Sequence, residues 1–102
     1  MSEKRLKPAH PGAIVREDFI GACGLTTYRV AKELGVTLPR LNDIVREKRG
    51  ISVEMALLLA RYFQTSEQFF VHLQADYDRR LAQVALGKQL SRVKPLAKRL
   101  DR

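Results

Sequence analysis

The sequence predicts an all-α fold of five short helices joined by loops of two to five residues. Three observations predict it. Apolar residues recur at spacings of three and four along most of the chain. Pro, Ser, Thr and Gly fall where such helices would start and stop. No segment alternates apolar and polar residues for long enough to make a strand. With 102 residues the chain has the length of one domain. A domain of that size buries about 60–70% of its unfolded surface, so one core suffices without covalent staples.

The first helix begins at Pro11, whose missing N–H costs nothing in a first turn. Ile14, Val15, Phe19 and Ile20 form its apolar face, and Gly21 or Gly24 ends it. Thr26 or Thr27 caps a second helix carrying Tyr28, Val30, Ala31 and Leu34, and Gly35 follows as the glycine that closes it. Thr37 caps a third helix, with Pro39 in its first turn, Leu41, Ile44 and Val45 on its inner face, and Gly50 ending the segment. Ser52 caps a fourth helix lined by Met55, Leu58, Leu59, Tyr62 and Phe63, and Glu54 suits the dipole of its first turn. Ser66 caps a fifth, lined by Phe70, Leu73, Tyr77, Leu81 and Val84. The aromatics Phe63, Phe69, Phe70 and Tyr77 read as core rather than as a platform for stacked bases.

The chain divides into an N-terminal arm (1–9), a helical domain (10–86) and a basic C-terminal extension (87–102). Nineteen Lys and Arg against eleven Asp and Glu give a net charge of +8. Residues 1–87 hold thirteen basic and ten acidic side chains, and residues 88–102 hold six and one. Such a balance points to a polyanionic partner, nucleic acid before membrane surface. The extension is either helical or a flexible basic tail. Leu86, Leu90, Val93, Leu96 and Leu100 make an apolar series in it, interrupted by Pro95. One reading extends the fifth helix along this series to support dimerisation, with a short helix after Pro95. The other is an unfolded tail that adds phosphate attraction.

Several classes are not expected. The longest strongly apolar stretch, Met55 to Ala60, falls far short of a membrane span. Lys4, Arg5 and Lys7 precede no apolar segment, so no signal peptide is expected. Cys23 is the single cysteine, which rules out an intrachain disulfide and suits a reducing, cytoplasmic setting. It reads as a buried or idle thiol. His10 and His72 have no ligand spacing, so no metal or other cofactor is expected. No catalytic constellation stands out, and the chain reads as a binding protein rather than an enzyme.

The informative stretch is Thr27 to Lys48, two helices separated by a turn of about four residues. Ala31 is small enough for the following helix to cross close by, and Gly35 lets the chain turn sharply. The outward face of the third helix reads Thr37, Leu38, Pro39, Arg40, Asn42, Asp43 and Arg46, with Lys48 and Arg49 just after. Arg pairs bidentately with guanine and Asn with adenine. This points to a helix-turn-helix unit whose second helix enters the major groove of DNA. The residues expected to contact bases are Arg40, Asn42, Asp43 and Arg46. Those expected to contact phosphates are Thr27, Arg29, Lys32, Thr37 and Lys48. Tyr28 either packs or touches a phosphate.

Four segments carry a resemblance to a known family: HPGAIVREDF at 10–19, YRVAKELGV at 28–36, RLNDIVREKRGIS at 40–52 and ALLLARYFQTSEQFFVHLQADYD at 56–78. Together they resemble the HigA antitoxins, helix-turn-helix proteins of the Xre and lambda-repressor type. The resemblance implies a five-helix lambda-repressor-like domain and a homodimer that binds double-stranded operator DNA at an inverted repeat. It also implies repression of its own operon and neutralisation of a HigB-like toxin, a small RelE-like endoribonuclease. Many repressors of this superfamily pair an Arg of the first helix with a Glu late in the recognition helix. Here Arg16 supplies the first, but the corresponding late position is Val45, which leaves that pair unassigned. A messenger-RNA-cleaving toxin is expected to be basic, so its contact calls for an apolar surface or a local acidic one, such as Glu17 and Asp18 or Asp76 and Asp78. The alternatives are a stand-alone Xre-type repressor with no toxin partner, and a protein-interaction module with no DNA role.

Overall fold

The computed structural model describes residues 8–97. Most of the N-terminal arm (1–7) and the end of the extension (98–102, with Leu100) lie outside the described residues. Among the described residues every regular element is helical: α1 (Pro11–Ile14), continued by a π-helical segment (Val15–Gly21), then α2 (Thr27–Leu34), α3 (Leu38–Val45), α4 (Val53–Phe63), α5 (Phe69–Leu86) and α6 (Lys88–Arg92). The expected all-α class holds, and α6 makes the start of the extension helical.

Local chemistry sets the helix starts. His10 caps α1, its Nδ1 accepting from the Gly12 N–H at 2.9 Å. Thr26, not Thr27, caps α2, with Oγ1 accepting from the Arg29 N–H at 3.1 Å. Thr37 caps α3 through the Arg40 N–H at 3.3 Å, and Ser52 caps α4 through the Met55 N–H at 3.1 Å. In the π-helical segment the Ala22 N–H reaches back five residues to the Glu17 carbonyl at 3.1 Å, which widens the turn.

Three boundaries differ from the sequence reading. First, α3 stops at Val45 rather than running toward Gly50. Glu47 takes the left-handed conformation (φ 64°), its N–H bonding the Ile44 carbonyl at 2.9 Å while the Lys48 N–H bonds the Asp43 carbonyl at 2.8 Å. These are the two bonds of a Schellman closure, built with Glu where glycine is usual. Second, Ser66 does not cap α5. The chain leaves α4 through left-handed Gln64 (φ 60°) and makes a tight turn, so α5 begins at Phe69 behind Gln68. The Ser66 backbone carbonyl, not its side chain, accepts from the Phe69 N–H at 3.2 Å. Third, the apolar series of the extension is not one helix. Gly87 at φ 52° and ψ −124° breaks it, and α6 ends before Pro95, with no helix after it as far as Ala97.

The core lies between α1 and its continuation, α2, α3, α4 and the first half of α5. Val15, Val30, Leu41, Met55, Leu59 and Phe70 are wholly buried, each contributing about 1.5–3 kcal/mol of burial. Phe19 meets Phe63, Phe69 and Phe70 with ring centroids 5.1, 5.8 and 5.1 Å away. Of the aromatics expected in the core, Phe70 is wholly buried and Phe63 and Tyr77 are half-buried, whereas Phe69 stays 38% exposed at the start of α5. Gly12 is wholly enclosed against α3, where a Cβ would lie 1.8 Å from the Ile44 carbonyl oxygen. Only glycine permits that approach of α1 to α3.

Candidate nucleic-acid interface

α2 and α3 form the two-helix unit. Gly35 lies in the left-handed conformation (φ 79°), and the Val36 N–H bonds the Ala31 carbonyl at 3.0 Å, turning the chain into the cap of α3. Ala31 is buried at the crossing. The inner side of α3 is Leu41, Ile44 and Val45, all buried. At about 100° per residue, Pro39, Asp43 and Arg46 lie opposite, with Arg40 and Asn42 on the two flanks. Arg40 and Arg46 are exposed, whereas Asn42 and Asp43 are half-buried. With its side chains an α-helix is about 10–12 Å across, a width that the major groove of about 12 Å admits.

The expected contact residues are not equivalent. Arg46 stands at the C-cap of α3 rather than inside it. The Asp43 carboxylate is drawn to Arg49 at 3.7 Å. Thr37 spends its hydroxyl as the α3 cap, at the end where helix N–H groups favour an anion. Lys32 lines an open hollow between the two helices with Tyr28, Ala31, Val36 and Leu38. Tyr28 is 61% exposed, so it is not packed in the core. Thr27 is the first helical residue of α2 and half-buried. Lys48 is exposed on the loop beyond α3.

Arg29 is held by Glu33 at 3.1 Å, and Glu33 also accepts from the Tyr62 hydroxyl of α4. Tyr62 first and Arg29 second hold the Glu33 carboxyl below its ordinary range. Glu33 in turn raises the pKa of both partners. Any phosphate contact by Arg29 therefore competes with, or shares, this pairing.

The pair that the sequence left unassigned is present. Arg16 donates to the Val45 carbonyl at 2.5 Å and to Glu47 Oε2 at 3.2 Å, and it pairs with Glu17 at 2.9 Å. The bond to Glu17, then that to Glu47, raises its pKa. The carboxylate comes two residues after Val45 because left-handed Glu47 folds back over the end of α3. No spacing rule for a continuous helix would find it. The signal available was an Arg on the first helix together with a Glu just past the last apolar residue of α3.

Among the described residues no group of His, Cys, Asp and Glu is arranged to hold a metal ion, and no helix is long and apolar enough to cross a membrane. Cys23 is exposed, which leaves the idle reading of its thiol and removes the buried one.

A tight two-helix unit that presents cations and a capped N-terminus on its second helix defines a helix-turn-helix protein. The family model described as "Helix-turn-helix" matches residues 16–70. Virulence-associated protein I of Dichelobacter nodosus is 43% identical over 74 residues, covering 72% of this chain and 68% of that protein. A Pseudomonas aeruginosa protein solved in complex with its 18-base-pair operator DNA superposes with a TM-score of 0.85 at 44% identity, covering 91% of this chain and 99% of that one. The Pseudomonas aeruginosa antitoxin HigA, solved with the higBA promoter, superposes with a TM-score of 0.81 at 45% identity, covering 88% and 99%. The chain belongs to the helix-turn-helix family, in the branch of the HigA antitoxins.

Proposed function

We propose that this chain is the antitoxin of a type II toxin–antitoxin module. As a homodimer it binds an inverted-repeat operator and represses its own operon, and it neutralises a HigB/RelE-like endoribonuclease. The observation that carries the DNA half is α3 itself: capped by Thr37, pressed inward by Leu41, Ile44 and Val45, and exposing Arg40 and Arg46. In this reading Arg40, Asn42, Asp43 and Arg46 meet base edges. Thr27, Arg29, Lys32, Thr37 and Lys48 meet phosphates. Two such helices in a dimer lie about 34–36 Å apart, one helical turn of DNA. The exposed Leu81, Val84, Leu86 and Leu90 of α5 and α6 support the homodimer.

The toxin half rests on the likeness to the Pseudomonas aeruginosa antitoxin HigA. The acidic surfaces considered for a basic toxin are largely engaged within the chain. Asp76 is held by Arg79 at 2.6 Å and by Arg80 at 2.8 Å, Asp78 accepts from Gln74, and Glu17 pairs with Arg16. That favours an apolar toxin contact over an electrostatic one.

The test is to induce the short reading frame adjacent to this one in the native genome, with and without this chain. Growth arrest by the neighbour alone, rescue by this chain and co-purification of the two support the antitoxin reading. A harmless or unrescued neighbour, with an intact shift of the chain's own promoter DNA, leaves a stand-alone repressor. Absence of any DNA shift removes the DNA half.

A further inference from the structure

The segment FF-x-x-LQ-x-x-YD (69–78) carries much of the family resemblance, and the DNA reading alone gives it no task. One of its residues, Gln74, reaches the loop that follows α3, and a second, Asp78, holds Gln74. Gln74 Oε1 on α5 accepts from the Ile51 N–H at 2.8 Å. Gln74 Nε2 donates to Asp78 Oδ1, one turn further along α5, at 2.9 Å. Asp78 thereby fixes which way the carboxamide points, since the reversed amide would set a donor against the Ile51 N–H and an acceptor against a carboxylate. Gly50 lies flat on the same group: a Cβ there would come within 2.9–3.1 Å of the Gln74 side chain.

The loop between α3 and α4 is thus held at both ends. Arg16, from the helix that opens the domain, grips its start through the Val45 carbonyl and Glu47. Gln74, from the helix that closes the domain, grips its end. Lys48 stands exposed between the two grips. A lysine on a loose loop would lose both backbone and side-chain freedom on binding a phosphate, whereas a loop fixed beforehand has already met the backbone share of that cost.

We propose that Gln74, oriented by Asp78, is a positioning residue for DNA binding: it holds the loop after the recognition helix so that Lys48 meets the phosphate backbone. This rests on the DNA-binding reading above and adds a residue remote from the recognition helix.

The experiment uses the full chain with two duplexes of equal length, one carrying the promoter sequence upstream of its own reading frame and one of random sequence. The slope of log affinity against log salt is measured for the unaltered chain, Gln74→Ala, Lys48→Ala and the double variant, together with hydrogen exchange of the Ile51 amide. Gln74→Ala is expected to speed that exchange and to flatten the slope by up to about one unit, as Lys48→Ala does, with no further loss in the double variant. Asp78→Ala should act in the same direction, and Asp78→Asn, which keeps an oxygen acceptor for Gln74 Nε2, should restore the slope. This pair also serves should Gln74→Ala fail to fold. Faster Ile51 exchange with an unchanged salt slope would overturn the proposal, leaving Gln74 as the partner of one buried amide. If the unaltered chain binds neither duplex, the DNA-binding reading falls, and the positioning role with it.

Discussion

Arg16 and Glu47, thirty-one residues apart in sequence, meet at 3.2 Å at the end of the recognition helix. The same guanidinium donates to the Val45 carbonyl, one of the acceptors that α3 leaves without a helical partner. The first helix therefore helps decide where the recognition helix stops. It also holds Glu47 in a conformation that costs an L-residue about 1–2 kcal/mol. Glu47→Gly should remove that cost while losing the ion pair, and Glu47→Ala should lose the pair and keep the cost. Chemical denaturation is expected to find the Ala variant less stable than the Gly variant by roughly 1 kcal/mol. Equal stabilities would mean that the left-handed turn relaxes once Arg16 lets go.

Gly12 is the tightest point between α1 and α3. A methyl group there would overlap the Ile44 carbonyl, which is backbone and cannot swing aside. Gly12→Ala should cost roughly 2–3 kcal/mol, read as a lower urea midpoint at an unchanged m value. Operator binding should also weaken, because relief requires α3 itself to move. A near-neutral variant would show that α1 can shift without disturbing the recognition helix.

Arg40 and Lys48 are proposed for the two different kinds of DNA contact, base edge and phosphate. Arg40→Ala should cost roughly 1–3 kcal/mol on the operator and relax preference at one base position. Lys48→Ala should weaken operator and random DNA alike and flatten the salt slope by about one unit. Equal losses on both DNAs for Arg40→Ala would move Arg40 to the phosphate contacts.

The link between Tyr62, Glu33 and Arg29 predicts a pH dependence with a definite sign. The Tyr62 and Arg29 bonds hold Glu33 below 4.5, the ordinary glutamate value. Its contribution to stability is therefore fully present above 4.5 and is lost as pH falls through the depressed value. Tyr62 is raised above 10.0 chiefly by its bond to Glu33. Its contribution is fully present below 10.0 and is lost as pH rises through the raised value. Glu33→Gln should lower the melting temperature at neutral pH, and the gap to the unaltered chain should close in acid. A gap that stays constant from pH 7 into acid would show that Glu33 acts by packing alone.

Removing residues 88–102 takes away α6 and the exposed Leu90, Val93 and Leu96. If this apolar surface joins two copies, sedimentation should show a weaker dimer for the truncated chain. If the extension adds only charge, the dimer should persist while the salt slope on random DNA falls.

What could be read in the sequence followed local rules. The starts of α3 and α4 show as Thr37 and Ser52, because a hydroxyl one residue before a helix bonds an N–H three residues on. Gly35 marks the turn, because a left-handed residue is cheapest without a Cβ. The inner and outer faces of α3 follow from its helical period, and the net charge of +8 points to a polyanion. The same rules failed where a distant residue changed the local balance. Glu47 ends α3 in a conformation its own side chain disfavours, because Arg16 is there to hold it. The glycines gave no hint that Gly12 touches the Ile44 carbonyl, since close approach of two helices is a property of the pair. Gln74 and Asp78 lie four residues apart on α5, but the Ile51 amide that bonds Gln74 is twenty-three residues before it. By itself, then, the sequence determined most helix starts and the exposed face of α3 from interactions spanning about one helical turn, and the family resemblance from four segments between residues 10 and 78. Only the tertiary structure decided where the recognition helix ends and how its following loop is held, because both depend on side chains that the fold brings from the first and fifth helices.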